Sequence, residues 1–449
     1  MPVKFALGLG MMLSLGASQL NAAEPNPGKL PDPLTLEYAL SLADAPHPDI
    51  QLQDARIKSL EADKQGIQDE GGLDVFLDIG AQDTNLERVQ IEKSDHVRAG
   101  IILRTKLYDF GRTSKRLDSV QELLASEQYT FLDVRTQRRL QILEGYFNVL
   151  LADLRFSRYN EAMATAYVDA DRARDRREQG QVSDLRVLEL ETEYQRVRGL
   201  RYESENLQRE TRAYLAELLN SPEQLPSTLS MPKLDGLSNK LADVEEFQSL
   251  ALTNNNQINA LRAKVQAAEK AVVAARAGDN AALYARLSAH RYEGNTVEGL
   301  DRAQDQVYAE LFLEIPLLTP NTDSDVAKEL AKVYEARARL QKSESQLRQS
   351  VLKLWHDIEV LQVRREQMAK LNEFRELSLE RSRALYEMEV KADLGDAMVQ
   401  LTEAQYQVAQ TDYQLALALY KMKILTGKLV LDSNDISAPL PAATPQEQL

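Results

Sequence analysis

The sequence predicts a mainly α-helical chain with a small β part, duplicated end to end. Three observations carry this. Helical patterns run for more than sixty residues with almost no glycine or proline. Four short stretches alternate apolar and polar residues with a period of two. Sliding the chain by 208 positions lays one half on the other: Glu37 on Glu245, Ser41 on Ser249, Leu42 on Leu250, Ala43 on Ala251, Ile50 on Ile258, Ala55 on Ala263 and Glu61 on Glu269. A repeat on that scale sets the plan before any single element is placed.

Residues 1–23 read as a removable export signal. Lys4 gives the positive start, Phe5 to Leu15 the apolar stretch, and A-S-Q-L-N-A-A a small-residue end with cleavage after Ala22 or Ala23. The apolar stretch is too short to span a membrane as a helix, and no cysteine follows to take a lipid. Residues 24–33 form an extended, proline-rich lead. The first repeat covers 34–220. It opens with T-L-E-Y-A-L-S-L-A and a helix from about Asp49 to Gln68, ended by Gly71 and Gly72. Strands follow at about 73–82 and 96–107. Leu73, Val75, Leu77, Ile79 and Ala81 oppose Asp74, Asp78 and Gln82; Val97, Ala99, Ile101 and Leu103 oppose Arg98, Arg104 and Lys106. A helical hairpin comes next, from about Thr113 to Gln179 and from about Ser183 to Leu219, broken at Gly180. At ~1.5 Å per residue its first arm is roughly 100 Å long.

A linker at 221–242 leads to the second repeat, 243–427. Its strands fall at about 283–292 and 306–315, and its long helices run from about Asp323 to Glu387 and from about Asp393 to Thr426. Val307, Ala309, Leu311, Leu313 and Ile315 oppose Tyr308, Glu310 and Glu314. Residues 428–449 are a C-terminal tail.

Composition excludes several functions. Hydrophobic residues at 43% and charged residues at 27% describe a folded chain. A formal net charge of −15 argues against nucleic acid as a partner. With no cysteine there is no thiol chemistry, and His47, His96, His290 and His356 lack metal-ligand spacing, so neither metal nor cofactor is expected. N-T-D-S-D, Asn321 to Asp325, begins like a calcium loop. Val326 then stands where the glycine belongs and Lys332 where the closing acid belongs, which leaves a helix N-cap cluster. Trp355 and His356 read as packing and surface residues. No Ser-His-Asp grouping, phosphate-binding glycine loop or catalytic carboxylate pair is present, so no enzyme is expected.

Leucine, valine and alanine at heptad-like spacing give the long helices a coiled-coil character. The strands demand something else. In an exported chain, two-faced strands suit a transmembrane β-barrel. Four cannot close one, since about eight are needed, so several chains must contribute. Tyr284, Tyr292 and Tyr308 either join an aromatic girdle or face a tunnel. Asp393 and Asp396 share a helix face and repel mildly; taken locally, helix capping accounts for them.

L-Y-D-F-G-R (Leu107 to Arg112), G-Q-V-S-D-L (Gly180 to Leu185) and L-T-L-E-Y-A-L-S-L-A, together with the duplication, resemble the outer membrane efflux protein family, the TolC-like exit ducts. That resemblance implies a homotrimer. Three chains would complete a twelve-stranded barrel in the lipid of the outer membrane and a long α-helical barrel across the periplasm. It implies an adaptor protein and an inner-membrane transporter as partners, and small toxic compounds or drugs as cargo. Type I protein secretion uses the same fold, and a periplasmic helical scaffold without a pore is the reading from a different class.

D-L-G-D-A-M-V-Q-L-T-E-A (Asp393 to Ala404) is similar to the family's second tip turn, whose two acids line the periplasmic constriction. Three copies would stack two carboxylate rings that favour cations. Family members can carry an acid in the first tip turn and an arginine in the second as a latch; here the corresponding Arg186 and Glu389 have the signs exchanged, and they either pair as a tip latch or stand as solvated surface charges. The chain departs from the family at two junctions. E-I-P-L-L-T-P-N-T-D lacks the glycine of L-Y-D-F-G-R, and Lys106 stands where a proline often occurs.

Overall fold

A computed structural model describes residues 30–84, 94–221, 227–234, 236–294, 305–317, 319, 322–388 and 393–427. The expected signal, most of the lead and the C-terminal tail lie outside the described residues. The first half contains α1 (Leu36–Ser41), α2 (Pro48–Asp69), β1 (Leu73–Thr84), β2 (Ser94–Tyr108), α3 (Arg112–Glu178) and α4 (Asp184–Leu218). The second contains α5 (Val244–Asn254), α6 (Asn256–Arg276), β3 (Ala282–Gly294), β4 (Asp305–Glu314), α7 (Thr322–Glu387) and α8 (Leu394–Leu425).

Local chemistry sets the boundaries. Ser183 caps α4 through a bond from the Arg186 N–H, and Asn255 caps α6 through one from Ile258. Gly180, with φ of 70°, turns the first hairpin, a conformation that costs glycine nothing. At the β2–α3 junction Phe110 and Gly111 both take positive φ. The Asp109 carboxylate steadies them by accepting from the Gly111 N–H at 3.2 Å and the Thr113 N–H at 3.0 Å. Lys106 reaches into this junction, 3.1 Å from Asp109 and 3.4 Å from Glu70. The other strand-to-helix junction has no glycine; there the Asp279 carboxylate accepts from the hydroxyls of Thr319 and Thr322. Arg112 donates to the carbonyls of Gly278 and Asn280, which joins the two halves beside the sheet.

The helices form one layer. Near the sheet the order is α2, α3, α6, α7; away from it α4 and α8 replace α2 and α6. Polar rungs fix the register. Ser119 and Ser126 on α3 donate to the α6 carbonyls of Ala267 and Ala260, and Arg262 pairs with Glu344 on α7 at 3.3 Å. Asp153 pairs with Arg212 on α4, Glu144 with Lys421 on α8, and Arg365 with Asp412, each at 2.7 Å.

The apolar core lies midway along the layer. Phe147 stacks on Tyr413 with centroids 4.5 Å apart, among Tyr146, Leu215, Val351, Ile358 and Leu415. Segment 227–242 belongs to it: Leu229, Leu237, Leu241 and Ala242 are buried. A short parallel bridge ties Leu34 to Leu229, and the Tyr146 hydroxyl sits 2.8 Å from the Leu34 carbonyl and 2.6 Å from that of Ser230. The stretch expected as a linker thus straps the helical layer.

The four strands form one antiparallel sheet in the order β1-β2-β3-β4. The β2–β3 pairing joins the two halves, and β1 and β4 are left as edges.

Candidate permeation surfaces

The sheet has two chemically opposite faces. Leu77, Ile101, Ala289 and Val307 stand in one register row, and Val75, Leu103, Leu287 and Ala309 in another. On this face Leu73, Val75, Leu77, Ile79, Val97, Ile101, Leu287, Val307, Leu311 and Leu313 are all exposed, Leu77 by 72%. Full burial of each is worth about 1.5–3 kcal/mol, so covering the face is worth on the order of 10 kcal/mol. An apolar face of that extent is one that lipid or protein covers. No helix among the described residues is long and apolar enough to cross a membrane.

The opposite face is polar. Asp74, Arg104, Arg286 and Glu310 form one row, and Asp78, Gly100, His290 and Gln306 another. Asp78 accepts from Arg98 Nε at 3.0 Å and faces His290 Nε2 at 3.2 Å, so a single carboxylate ties three strands. Two glycines make this possible. The Arg98 side chain crosses β1 at Gly80, and the imidazole crosses β2 at Gly100, where a Cβ would lie 2.5 Å from the Ala289 carbonyl oxygen. Tyr284, Tyr292 and Tyr308 belong to this polar face by register, not to the apolar one. The charges were visible in the sequence. Their convergence on Asp78 was not, because it depends on cross-strand register.

At the far end of the helices, Asp393 caps α8 by accepting from the Asp396 N–H at 3.0 Å. Both carboxylates are exposed at the helix start. Asp393 thus holds the local capping role, and the two acids still present two charges to solvent. Gly395 lets α8 approach α3 closely, since a Cβ there would lie 2.7 Å from Thr165 Cγ2. Two turns further along, Arg158 of α3 pairs with Glu403 and lies over the Tyr159 ring at 4.7 Å. A cavity of about 330 Å³ between α3, α4 and α8 is lined by Arg158, Thr165, Asp169, Arg196, Asp396 and Glu403. Arg158 and Glu403 carried no signal in the sequence beyond ordinary helix-surface charges.

Arg186 makes its ion pair on its own helix, with Glu189 at 2.7 Å. Glu389, its expected latch partner, lies outside the described residues. Among the described residues no group of three or more histidine, cysteine, aspartate or glutamate side chains could hold a metal ion.

No family model and no curated protein sequence matches the chain. Solved structures do. CusC, studied for its folding and transmembrane channel formation, superposes with a TM-score of 0.67 at 13% identity over 89% of this chain and 93% of that one. The outer membrane protein VceC of Vibrio cholerae gives 0.66 at 16% over 87% and 96%. The CmeC outer membrane channel of Campylobacter jejuni gives 0.70 at 12% over 88% and 85%. The chain therefore has the TolC-like channel fold, a small sheet set on long helices.

Proposed function

We propose that three copies of this chain assemble into an outer-membrane exit duct of a tripartite export system. An inner-membrane pump and a periplasmic adaptor would deliver small toxic compounds or drugs to it. The observation that carries this reading is the sheet. It has an apolar face left uncovered, a charged face opposite, and two unpaired edges, β1 and β4. Unpaired edges and an exposed apolar face are both unfavourable for an isolated chain in water. Closing three sheets edge to edge into a twelve-stranded barrel in lipid relieves both at once. The long edge helix supports the same assembly: Tyr334, Val360, Val363, Phe374 and Leu377 of α7 are exposed along it, as a coiled-coil seam awaiting a neighbouring chain would be.

In the trimer, Asp393 and Asp396 would stand as two acidic rings at the periplasmic mouth, six charges in all, favouring cation entry. Their exposure at the start of α8 supports this. The Arg186–Glu389 latch gains no support from the Arg186–Glu189 pair. No step of bond making or breaking is assigned to the chain; transport energy comes from the pump.

The test is extraction and reconstitution. The duct reading expects a protein that needs detergent, runs as a trimer and gives discrete cation-preferring currents in planar bilayers. A monomer soluble without detergent and silent in bilayers would refute it.

A further inference from the structure

We propose that Arg104 and Arg286, flanked by Phe76 and Phe312, form a subsite on the polar face of the sheet for organic anions carrying an aromatic ring. The inference deepens the duct reading and rests on it, because it takes this face as the inner wall of the closed barrel.

Arg104 and Arg286 are direct register partners on β2 and β3. Like charges directly opposite one another in a sheet repel, and neither arginine is neutralised tightly. Arg104 stands 3.6 Å from Asp74, beyond hydrogen-bond reach, and Arg286 gives Glu310 one bond at 3.3 Å. A guanidinium has five N–H donors. Each guanidinium also lies over an aromatic ring. Arg104 lies 5.4 Å from the centroid of Phe76, and Arg286 4.9 Å from that of Phe312. Phe312 in turn stacks on Tyr284 at 5.3 Å and 19°. A guanidinium held over a ring face keeps most of its N–H donors available to grip a carboxylate or sulfonate.

The rings complete the argument. Phe76 is 45% exposed on a face otherwise built for water, where its ring offers an apolar platform beside the cation. Asp74 and Glu310 sit at the two ends of the row, and their charge disfavours a bare anion held between the arginines. A ligand with both a negative group and a ring gains from the guanidinia and the rings together. The acids of the periplasmic mouth favour cations; the barrel wall would favour this second class.

The experiment is single-channel block in planar bilayers, with 2-naphthalenesulfonate and methanesulfonate as probes. In the wild type, naphthalenesulfonate should block at a concentration about tenfold lower than methanesulfonate does. Arg104→Gln/Arg286→Gln should keep the current and weaken naphthalenesulfonate block about tenfold or more, through loss of two charged donors. Phe76→Leu/Phe312→Leu should narrow the gap between the probes by about threefold or more while retaining methanesulfonate block. Should the Gln pair fail to assemble, Arg104→Lys/Arg286→Lys keeps the charges and the rings but loses the planar fork, and should weaken block by both probes about threefold or more. Equal block by both probes in the wild type, or block unchanged in the assembled variants, overturns the subsite and leaves the duct standing. Absence of any wild-type current overturns the duct reading and the subsite together.

Discussion

Asp393 has two separable roles, and substitution can divide them. Its side-chain oxygen accepts from the Asp396 N–H at 3.0 Å, and its charge faces solvent at the helix start. Asp393→Asn keeps the oxygen and removes the charge, and asparagine caps about as well as aspartate. Asp393→Ala removes both and costs about 1 kcal/mol of helix stability. In a trimeric mouth, one unit charge about 6 Å from a passing ion is worth roughly 0.7 kcal/mol in water. Three are worth about 2 kcal/mol, and salt near 0.1 M screens roughly half of that. The Asn variant should therefore lower cation permeability about fivefold and raise anion permeability by a similar factor, which cuts the cation-to-anion ratio roughly thirtyfold, with no loss of thermal stability. Asp396→Asn, one turn along the same face, should act similarly and additively. The assay is the reversal potential under a salt gradient in planar bilayers, beside a thermal melt of the same preparation. If Asp393→Asn leaves selectivity unchanged while Asp393→Ala only lowers the melt, the carboxylate acts as a cap and the ring argument fails.

Three further expectations concern the scaffold. Tyr146→Phe should cost about 1 kcal/mol by removing the phenol that bridges the Leu34 and Ser230 carbonyls; hydrogen exchange at the Leu34 and Ser230 amides should quicken about fivefold, and unchanged exchange would mean the strap is held by packing alone. Gly100→Ala should block assembly of the sheet, because the new methyl meets the Ala289 carbonyl at 2.5 Å as well as the His290 ring; a heat-resistant trimer band at the wild-type level on a denaturing gel would contradict this. Acid should loosen the protein at two carboxylates. Burial raises the Asp44 pKa, but bonds from Arg135 and Arg139 outweigh it. Burial likewise raises Asp109, and Thr113 and Lys106 outweigh that. Both carboxyls end below the usual range, so their stabilisation is complete above about pH 4 and is lost as pH falls through the depressed values. Melting temperature should drop from pH 5 to pH 3, less so in Asp44→Asn, and an equal drop in that variant would remove Asp44 from the account.

Much of this architecture is local chemistry and was legible in the chain. Alternation at Leu73 to Ala81 and Val307 to Ile315 requires strands with one apolar face, because successive side chains point to opposite sides. Gly180 suits a helix end, since glycine adopts positive φ without steric cost. The overlay of the halves comes from the sequence itself, as do the exposed acids at Asp393 and Asp396. What needed the tertiary structure depends on contacts between residues far apart in the chain. The pairing of β2 with β3 brings Arg104 opposite Arg286 and His290 across Gly100 to Asp78, and no local pattern specifies which strands pair or in what register. Segment 221–242 reads as a proline-bearing linker because its apolar residues follow no period; Leu229, Leu237, Leu241 and Ala242 are buried one at a time against Tyr146 and its neighbours. Arg158 and Glu403 look like surface charges until α8 is laid on α3. Backbone preference and periodicity decide each element from nearby residues, whereas register and convergence follow from how distant elements pack.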